Sequence, residues 1–129
     1  MRINKFKYFE SKDKFPDLRK IDIDGYVVLI GKNAESNDHL TLNMANPEDT
    51  WFHVIGFPGS HIIVRSKDKS LTPEIKKEVA KLALKYSKSK EKSGKVISCK
   101  AKFVTKLGNM EPGEVKVDRN NAEEITVNN

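Results

Sequence analysis

WFHVIGFPGSHIIVR, at Trp51–Arg65, is the most informative stretch of the 129-residue chain. Two runs rich in aromatic and β-branched residues flank a Phe-Pro-Gly sequence, and Pro-Gly is a strong turn signal. The stretch therefore predicts a β-hairpin. This hairpin carries two of the three histidines and the only tryptophan of the chain.

The register of this hairpin determines whether its histidines meet. A three-residue tip centred on Phe57 would place His53 opposite His61, because opposed residues have numbers with a constant sum. The same register would place Asp49 opposite Arg65. A tip one residue longer would put the two rings on opposite faces of the sheet. The sequence leaves both registers open.

Three further elements are predicted in the first half of the chain. KFKYF (Lys5–Phe9) alternates in the manner of a half-buried strand, and IDIDGYVVLIGK (Ile21–Lys32) reads as a hairpin broken at its glycine. HLTLNMA (His39–Ala45) has apolar residues at helical spacing. We expect a short helix there, capped by Asn37 or Asp38.

The clearest helix lies in LTPEIKKEVAKLALKYSKSK (Leu71–Lys90), with Thr72 as N-cap and Pro73 at the first helical position. At 100° per residue, one arc of this helix is apolar. It contains Ile75, Val79, Leu82, Ala83 and Tyr86. Another face is a lysine stripe, formed by Lys77, Lys81, Lys85 and Lys88.

The last third of the chain reads as strands. VISCKAKFV (Val96–Val104) alternates, with Cys99 on the apolar side and Lys100 and Lys102 pointing outward. VKV and ITV, at 115–117 and 125–127, follow a Pro-Gly turn. The chain is therefore predicted to be one α+β domain spanning 1–129, with a mostly antiparallel sheet, one long amphipathic helix and one short helix.

Composition and charge restrict the function classes. No apolar run is long enough for a secretory signal or a membrane span, and the single cysteine cannot form an internal disulfide. We therefore expect a cytoplasmic protein. The net charge is +6, and residues 65–106 alone hold 14 lysines and arginines against four acidic residues. Such a basic segment is typical of proteins whose partner is rich in phosphate.

Rings beside the basic segment favour RNA over a regular duplex, because they can stack on unpaired bases. Phe57 at the turn tip is the better stacking candidate. Trp51 is expected in the core, since the single tryptophan of a small domain usually has a buried body. Cys99 is expected to be a small core residue rather than a reactive thiol.

An enzymatic alternative rests on the same hairpin. If both rings share a face near Asp49, then His53, His61 and this carboxylate could hold a divalent metal in a hydrolase or nuclease. No nucleophile has a recognisable base at informative spacing, and neither GxGxxG nor GxxxxGK[ST] occurs, so nothing marks an NTPase or a nucleotide cofactor. No cofactor is predicted.

The ordered set GKNAESNDHLT (Gly31–Thr41), A..PEDTWFHVIGFPGSHIIVR (Ala45–Arg65), the helix VAKLALKYSKSK and the late PGEV (Pro112–Val115) closely resembles the NFACT-R domain. This is the RNA-binding module of NEMF-type ribosome quality-control factors and of bacterial fibronectin-binding-protein-like relatives. The resemblance covers about 21–129 and fits a standalone version or an excised domain. The matching positions are Gly31, Lys32, Asn33, Asn37, Asp38, Asp49, Trp51, His53, Gly59, Ser60, His61 and Arg65.

The resemblance implies an α+β domain that binds RNA without a catalytic role of its own. The expected partner is transfer RNA or ribosomal RNA, with the large ribosomal subunit as a further partner, and the expected context is ribosome quality control or RNA modification. Together with the charge pattern it gives a set of predicted RNA contacts. They are Lys32, Asn33, His53, Phe57, Ser60, His61, Arg65, Lys77, Lys81, Lys85, Lys100 and Lys102.

Overall fold

The structure is a computed structural model that describes residues 8–11, 17–66 and 70–129. Ile3, Phe6 and most of the predicted strand at Lys5–Phe9 lie outside the described residues. The strands are β1 (Tyr8–Ser11), β2 (Leu18–Ile23), β3 (Tyr26–Gly31), β4 (Thr50–Val54), β5 (Ile62–Val64), β6 (Ser93–Lys100), β7 (Val104–Thr105), β8 (Lys116–Val117) and β9 (Glu123–Asn128). The α-helices are α1 (Ala34–Asp38) and α2 (Pro73–Lys85).

One antiparallel sheet forms the body of the molecule. Its strand order is β1-β2-β3-β5-β4-β6-β9, and β7 pairs separately with β8. The sheet and its helices confirm the predicted α+β class. The β2–β3 hairpin turns at Asp24 and Gly25, which both have positive φ, as a type I′ turn requires. The predicted glycine break at Gly25 is therefore this turn.

The central strands are covered on both faces. Their sequences are therefore continuous apolar runs and do not alternate between apolar and polar residues. All three residues of β5 are fully buried. One face packs against α2, and the other carries Trp51 and Leu40 in a second apolar cluster. The predicted core position of Trp51 is confirmed, since only 1% of its surface is exposed. No helix among the described residues combines the length and apolar character that crossing a membrane requires.

Helix α2 follows its sequence signals closely. The Thr72 side chain accepts a hydrogen bond from the Ile75 amide at 3.1 Å, and Pro73 is the first helical residue. Its buried residues are Ile75, Val79, Ala80, Ala83 and Leu84. Three residues of the predicted arc are therefore buried, whereas Leu82 and Tyr86 are partly buried against the same cluster. Burial of such a stripe stabilises a helix of this length more than propensity does.

The short helix begins earlier than expected. Asn33 is the N-cap of α1, with a capping box in which Asn33 accepts from the Ser36 amide and the Ser36 hydroxyl accepts from the Asn33 amide. The predicted cap at Asn37 or Asp38 is wrong, because both side chains bond to other segments of the fold. The chain continues beyond α1 as a π-helical turn at His39–Met44.

The predicted strand at Val96–Val104 ends early. After Lys100 the backbone enters a 3-10 turn at Ala101–Phe103, where the Ala101 amide donates to the Asp49 carbonyl at 2.8 Å. Lys102 therefore lies in this turn and not on a strand. Cys99 is buried in the core as predicted, and burial raises the pKa of its thiol to about 11.

Candidate nucleic-acid interface

The histidine hairpin adopts the register in which its two rings meet. Thr50 pairs with Val64, and Phe52 pairs with Ile62. In both pairs the two residue numbers have the same sum, which is the sum expected for a tip centred on Phe57. The rings of His53 and His61 lie edge to face, with centroids 5.4 Å apart. The first of the two registers left open by the sequence is therefore the one in the structure.

His61 is held inside the protein by both ring nitrogens. Its Nδ1 lies 2.8 Å from the Thr41 hydroxyl and its Nε2 lies 3.0 Å from the Gly113 carbonyl, while only 1% of its surface is exposed. Since a carbonyl only accepts, Nε2 carries the proton and Nδ1 accepts from Thr41. His61 was predicted to contact RNA. In the structure its buried ring instead connects the hairpin to the loop that contains Gly113.

Burial and, to a smaller extent, the nearby His53 lower the pKa of His61 to about 4. In the unfolded chain a histidine takes up its proton near pH 6.5. Acid should therefore destabilise the fold as the pH falls from about 6.5 to about 4, by roughly 3 kcal/mol from this residue alone. Urea unfolding at pH 7, 6 and 5 measures the loss, and the ring signals of His61 in an NMR titration should not move until the pH approaches 4. A midpoint near 6.5 for those signals would contradict the buried neutral ring.

His53 differs from its neighbour because it is only half-buried. Its ring stacks on Trp51 at 5.8 Å with an interplanar angle of 9°. Burial lowers the pKa of His53, an effect that backbone groups of Val54 and Gly59 oppose. A neutral half-exposed imidazole offers one donor, one acceptor and a flat ring, and all three can contact a base.

Gly31 and Asn37 lock the end of β3 to the hairpin. The Asn37 side-chain oxygen accepts a hydrogen bond from the His61 amide at 3.0 Å. A Cβ on residue 31 would lie 1.9 Å from that oxygen. The absence of a side chain at Gly31 is therefore a condition for this bond.

Asp49 and Arg65 form a second structural pair at the other end of the hairpin. The Arg65 guanidinium donates to Asp49 at 3.1 Å and to the Met44 carbonyl at 2.8 Å. Asp49 is fully buried and also accepts from the backbone amides of Ser66 and Asn46, at 2.7 and 2.8 Å. The Arg65 guanidinium is therefore bound to Asp49 and to the Met44 carbonyl, and it does not lie beside the two imidazoles.

The arrangement does not support the metal-site alternative. Both carboxylate oxygens of Asp49 accept hydrogen bonds from protein donors, and neither ring nitrogen of His61 has a lone pair to spare. His53 alone cannot bind a metal tightly. Across 8–11, 17–66 and 70–129, no three His, Cys, Asp or Glu side chains are grouped as metal ligands.

The Pro-Gly-Ser tip docks on the end of α2. The Ser60 amide donates to the Tyr86 carbonyl at 3.0 Å, and the Lys88 amide donates to the Pro58 carbonyl at 2.8 Å. A Cβ on Gly59 would lie 2.9 Å from the Ser87 side chain, so glycine is needed for this close approach. The turn motif thus joins the hairpin to the basic helix.

These contacts border a cleft of about 890 Å³, here called the tip cleft. Three parts of the structure form most of its wall. One is the end of β3 with the start of α1, the second is the hairpin tip with the end of α2, and the third is the loop at 111–114. Four predicted RNA contacts line it, namely Lys32, Asn33, His53 and Ser60. Arg19, Tyr86 and Lys88 also line it, and the Arg19 guanidinium lies 5.0 Å from the centre of the Tyr86 ring.

Other predicted contacts lie elsewhere. Lys100 and Arg65 line a second cleft of about 560 Å³ at the opposite end of the hairpin. Lys100 and Lys102 lie 2.6 and 2.8 Å from the carboxylate of Glu48, and they hold the pKa of that carboxyl at about 2. The predicted cations therefore do not converge on one site, and these two lysines already have an anionic partner.

The exposed face of α2, which ends at the tip cleft, and the hairpin tip are together called the rim. Lys77 and Lys85 are exposed, and Lys81 pairs with Glu78 at 3.5 Å. Phe57 has 41% of its surface exposed, as its position at the turn suggested.

Arg19 and the loop at 111–114 were missed as site residues by the sequence reasoning. Arg19 reaches the cleft because β2 pairs with β3, where it lies opposite Ile30, and no local motif indicates this. The loop had a signal, since its PGEV sequence contributes to the family resemblance. What the sequence did not show is that the Gly113 backbone meets His61.

Comparison with known proteins gives the family. A family model described as the NFACT protein RNA binding domain matches residues 5–119. The Rqc2 homolog RqcH of Bacillus subtilis is 34% identical over 95 residues, which are 73% of this chain and 16% of that protein. The Rqc2 homolog RqcH of Streptococcus suis is 38% identical over 64 residues, which are 50% of this chain and 11% of that protein.

A solved structure shares the fold. The C-terminal part of the fibronectin/fibrinogen-binding protein from Streptococcus suis superposes with a TM-score of 0.77 and 30% identity, covering 92% of this chain and 47% of that one. The chain spans less than a fifth of the length of the curated relatives it matches. The match to the family model covers most of the sequence, beginning earlier and ending earlier than the resemblance predicted. The chain belongs to the NFACT protein RNA binding domain family.

Proposed function

We propose that this chain is a noncatalytic RNA-binding module that serves ribosome-associated quality control or RNA modification in the cytoplasm. Its partner is transfer RNA or ribosomal RNA, with the large ribosomal subunit as the larger assembly. Family membership and the printed names of the relatives support this proposal. The observation that carries it is the tip cleft, where two chain segments more than fifty positions apart bring Lys32 and Lys88 together.

The tip cleft suits RNA by its chemistry. Lys32 and Lys88 are exposed and can replace counterions on phosphates, which supplies most of the affinity of such interfaces. His53 and Asn33 add polar groups that reach base edges or sugar hydroxyls. Within this proposal His61 and Arg65 shape the interface from inside and do not touch the ligand.

The rim extends the interface beyond the cleft. Lys77 and Lys85 steer the RNA electrostatically, and Lys81 contributes less because it shares its charge with Glu78. Phe57 at the hairpin tip is placed to stack on a base. We assign no central part to Lys100 and Lys102, because they share the carboxylate of Glu48, which offsets one of their two charges.

Two charge-matched double variants test this assignment. Lys32→Ala with Lys88→Ala should weaken binding to transfer RNA and to large ribosomal subunits, and should lower the slope of log K against log salt by roughly one to two units. Lys100→Ala with Lys102→Ala removes the same charge and should leave the slope nearly unchanged. Fluorescence anisotropy between 50 and 200 mM salt, roughly the range in which such contacts weaken, provides the measurement.

Equal losses of slope in the two double variants would mean that the RNA responds to total charge and not to the tip cleft. No salt-dependent binding by the unchanged protein would reject the proposed function. The same samples should contain intact RNA after incubation with divalent metal, and cleavage would favour the hydrolase alternative.

A further inference from the structure

The tip cleft has an acidic side that simple phosphate binding does not explain. Glu111 and Glu114 line it together with Lys32, Lys88 and Arg19. Both glutamates are exposed. Neither forms an ion pair within the part of the chain that the structure describes. A carboxylate beside bound phosphate is unfavourable unless it meets hydrogen-bond donors.

The loop that carries these glutamates is fixed in place. The Lys106 ammonium lies 3.1 Å from the Asp38 carboxylate, and it donates to the backbone carbonyls of Glu111 and Glu114 at 2.6 and 3.0 Å. The Gly113 amide donates to Asp38 at 3.1 Å. Lys106 therefore holds the loop through the Asp38 carboxylate and two backbone carbonyls, and this fixes the backbone of Glu111 and Glu114 at the edge of the cleft.

The two halves of the cleft match the two ends of a nucleotide. The lysines suit a phosphate. The half-exposed ring of His53 and the planar guanidinium of Arg19, which lies over the Tyr86 ring, are flat groups on which a base can stack. Carboxylates accept hydrogen bonds from exocyclic amino groups, which adenine, cytosine and guanine carry and uracil lacks. In an RNA duplex base pairing uses one hydrogen of each amino group, and the deep, narrow major groove keeps side chains from the second hydrogen of adenine and cytosine. An unpaired base presents this edge openly.

We infer that the tip cleft holds one unpaired RNA nucleotide, with its phosphate at Lys32 and Lys88 and the amino edge of its base at Glu111 and Glu114. This inference rests on the proposed RNA-binding function. The volume of about 890 Å³ lies within the usual range of small-molecule sites, roughly 300 to 1,000 Å³, so one nucleotide fits and a helix does not enter. The cleft thus distinguishes bases by their hydrogen-bonding groups, whereas the rim responds only to the charge of the RNA.

Five RNA hairpins test the inference. Four are identical except for a single bulged nucleotide, which is G, C, A or U, and the fifth is fully paired. At one salt concentration the hairpins with a G, C or A bulge should bind roughly tenfold more tightly than the fully paired hairpin. The affinity of the hairpin with the U bulge should lie between these two values. Equal affinity for all five, with a normal salt slope, would overturn the inference while leaving the proposed function standing. No salt-dependent binding of any hairpin would overturn both.

A double variant tests the base edge separately. Glu111→Gln with Glu114→Gln should bring the affinities for the A, C and G bulges to within about twofold of the U bulge, because an amide presents a donor where the carboxylate presented an acceptor. Glu123→Gln, at the second cleft, also removes a negative charge and should leave the discrimination intact. A uniform change of affinity in the double variant, with discrimination preserved, would overturn the assignment of the base edge.

Discussion

Replacing Gly31 by alanine should lower the free energy of unfolding by roughly 4 kcal/mol, because overpacking and a lost buried hydrogen bond add. The new Cβ would lie 1.9 Å from the Asn37 side-chain oxygen and 3.0 Å from the Asn37 Cα. The side chain cannot simply rotate away, since its oxygen accepts from the His61 amide in the interior. Urea unfolding followed by far-UV circular dichroism measures the change.

Gly108→Ala is the matched control. A Cβ on Gly108 meets nothing within 4 Å, so the same substitution there should change stability little. In an Asn37→Ala background, the Gly31→Ala change should be less destabilising than alone, because the oxygen it meets is gone. Additive effects of the two changes would show that the cost at Gly31 does not arise from Asn37.

Asp49→Ala should destabilise the fold by about 3 kcal/mol, because it removes a fully buried carboxylate and each donor left without its acceptor costs about 1 to 3 kcal/mol. The change leaves the Arg65 guanidinium without its carboxylate and strands the backbone amides of Ser66 and Asn46. Thermal and urea unfolding provide the readout.

The neighbouring Glu48 supplies the control. Glu48→Gln removes an exposed carboxylate that pairs with Lys100 and Lys102, and it should leave the midpoint of unfolding almost unchanged. Adding Arg65→Met to Asp49→Ala should recover part of the lost stability, since no orphaned charge remains. Equal effects of the Glu48 and Asp49 substitutions would refute the structural role of the buried pair.

Local signals in the sequence predicted the elements whose causes are local. Thr72 and Pro73 mark the start of α2 because capping and a fixed φ act within one turn. Trp51 is in the core for a similarly simple reason, its size. The cap of the short helix was misplaced because Asn37 and Asp38 look like caps in sequence but bond to segments 24 and 75 positions away.

The site was harder to predict because it depends on which charges meet. Arg65, Lys100 and Lys102 count as basic in the sequence, yet the fold gives each an acidic partner. Only tertiary placement shows that Lys32 lines the tip cleft and that these three cations do not. Periodicity fixes the face of an element on which a side chain lies, but it says nothing about the element that packs opposite.

The tie between His61 and Gly113 spans 52 positions of the chain, and the tie between Asp38 and Gly113 spans 75. Contacts so remote in sequence form late, because a long stretch of polypeptide must lose its freedom before they stabilise anything. On a nascent chain, the first hairpins and α2 emerge well before residue 113 is made. The tip cleft should therefore form late during folding, after the first two hairpins and α2 that make most of its wall.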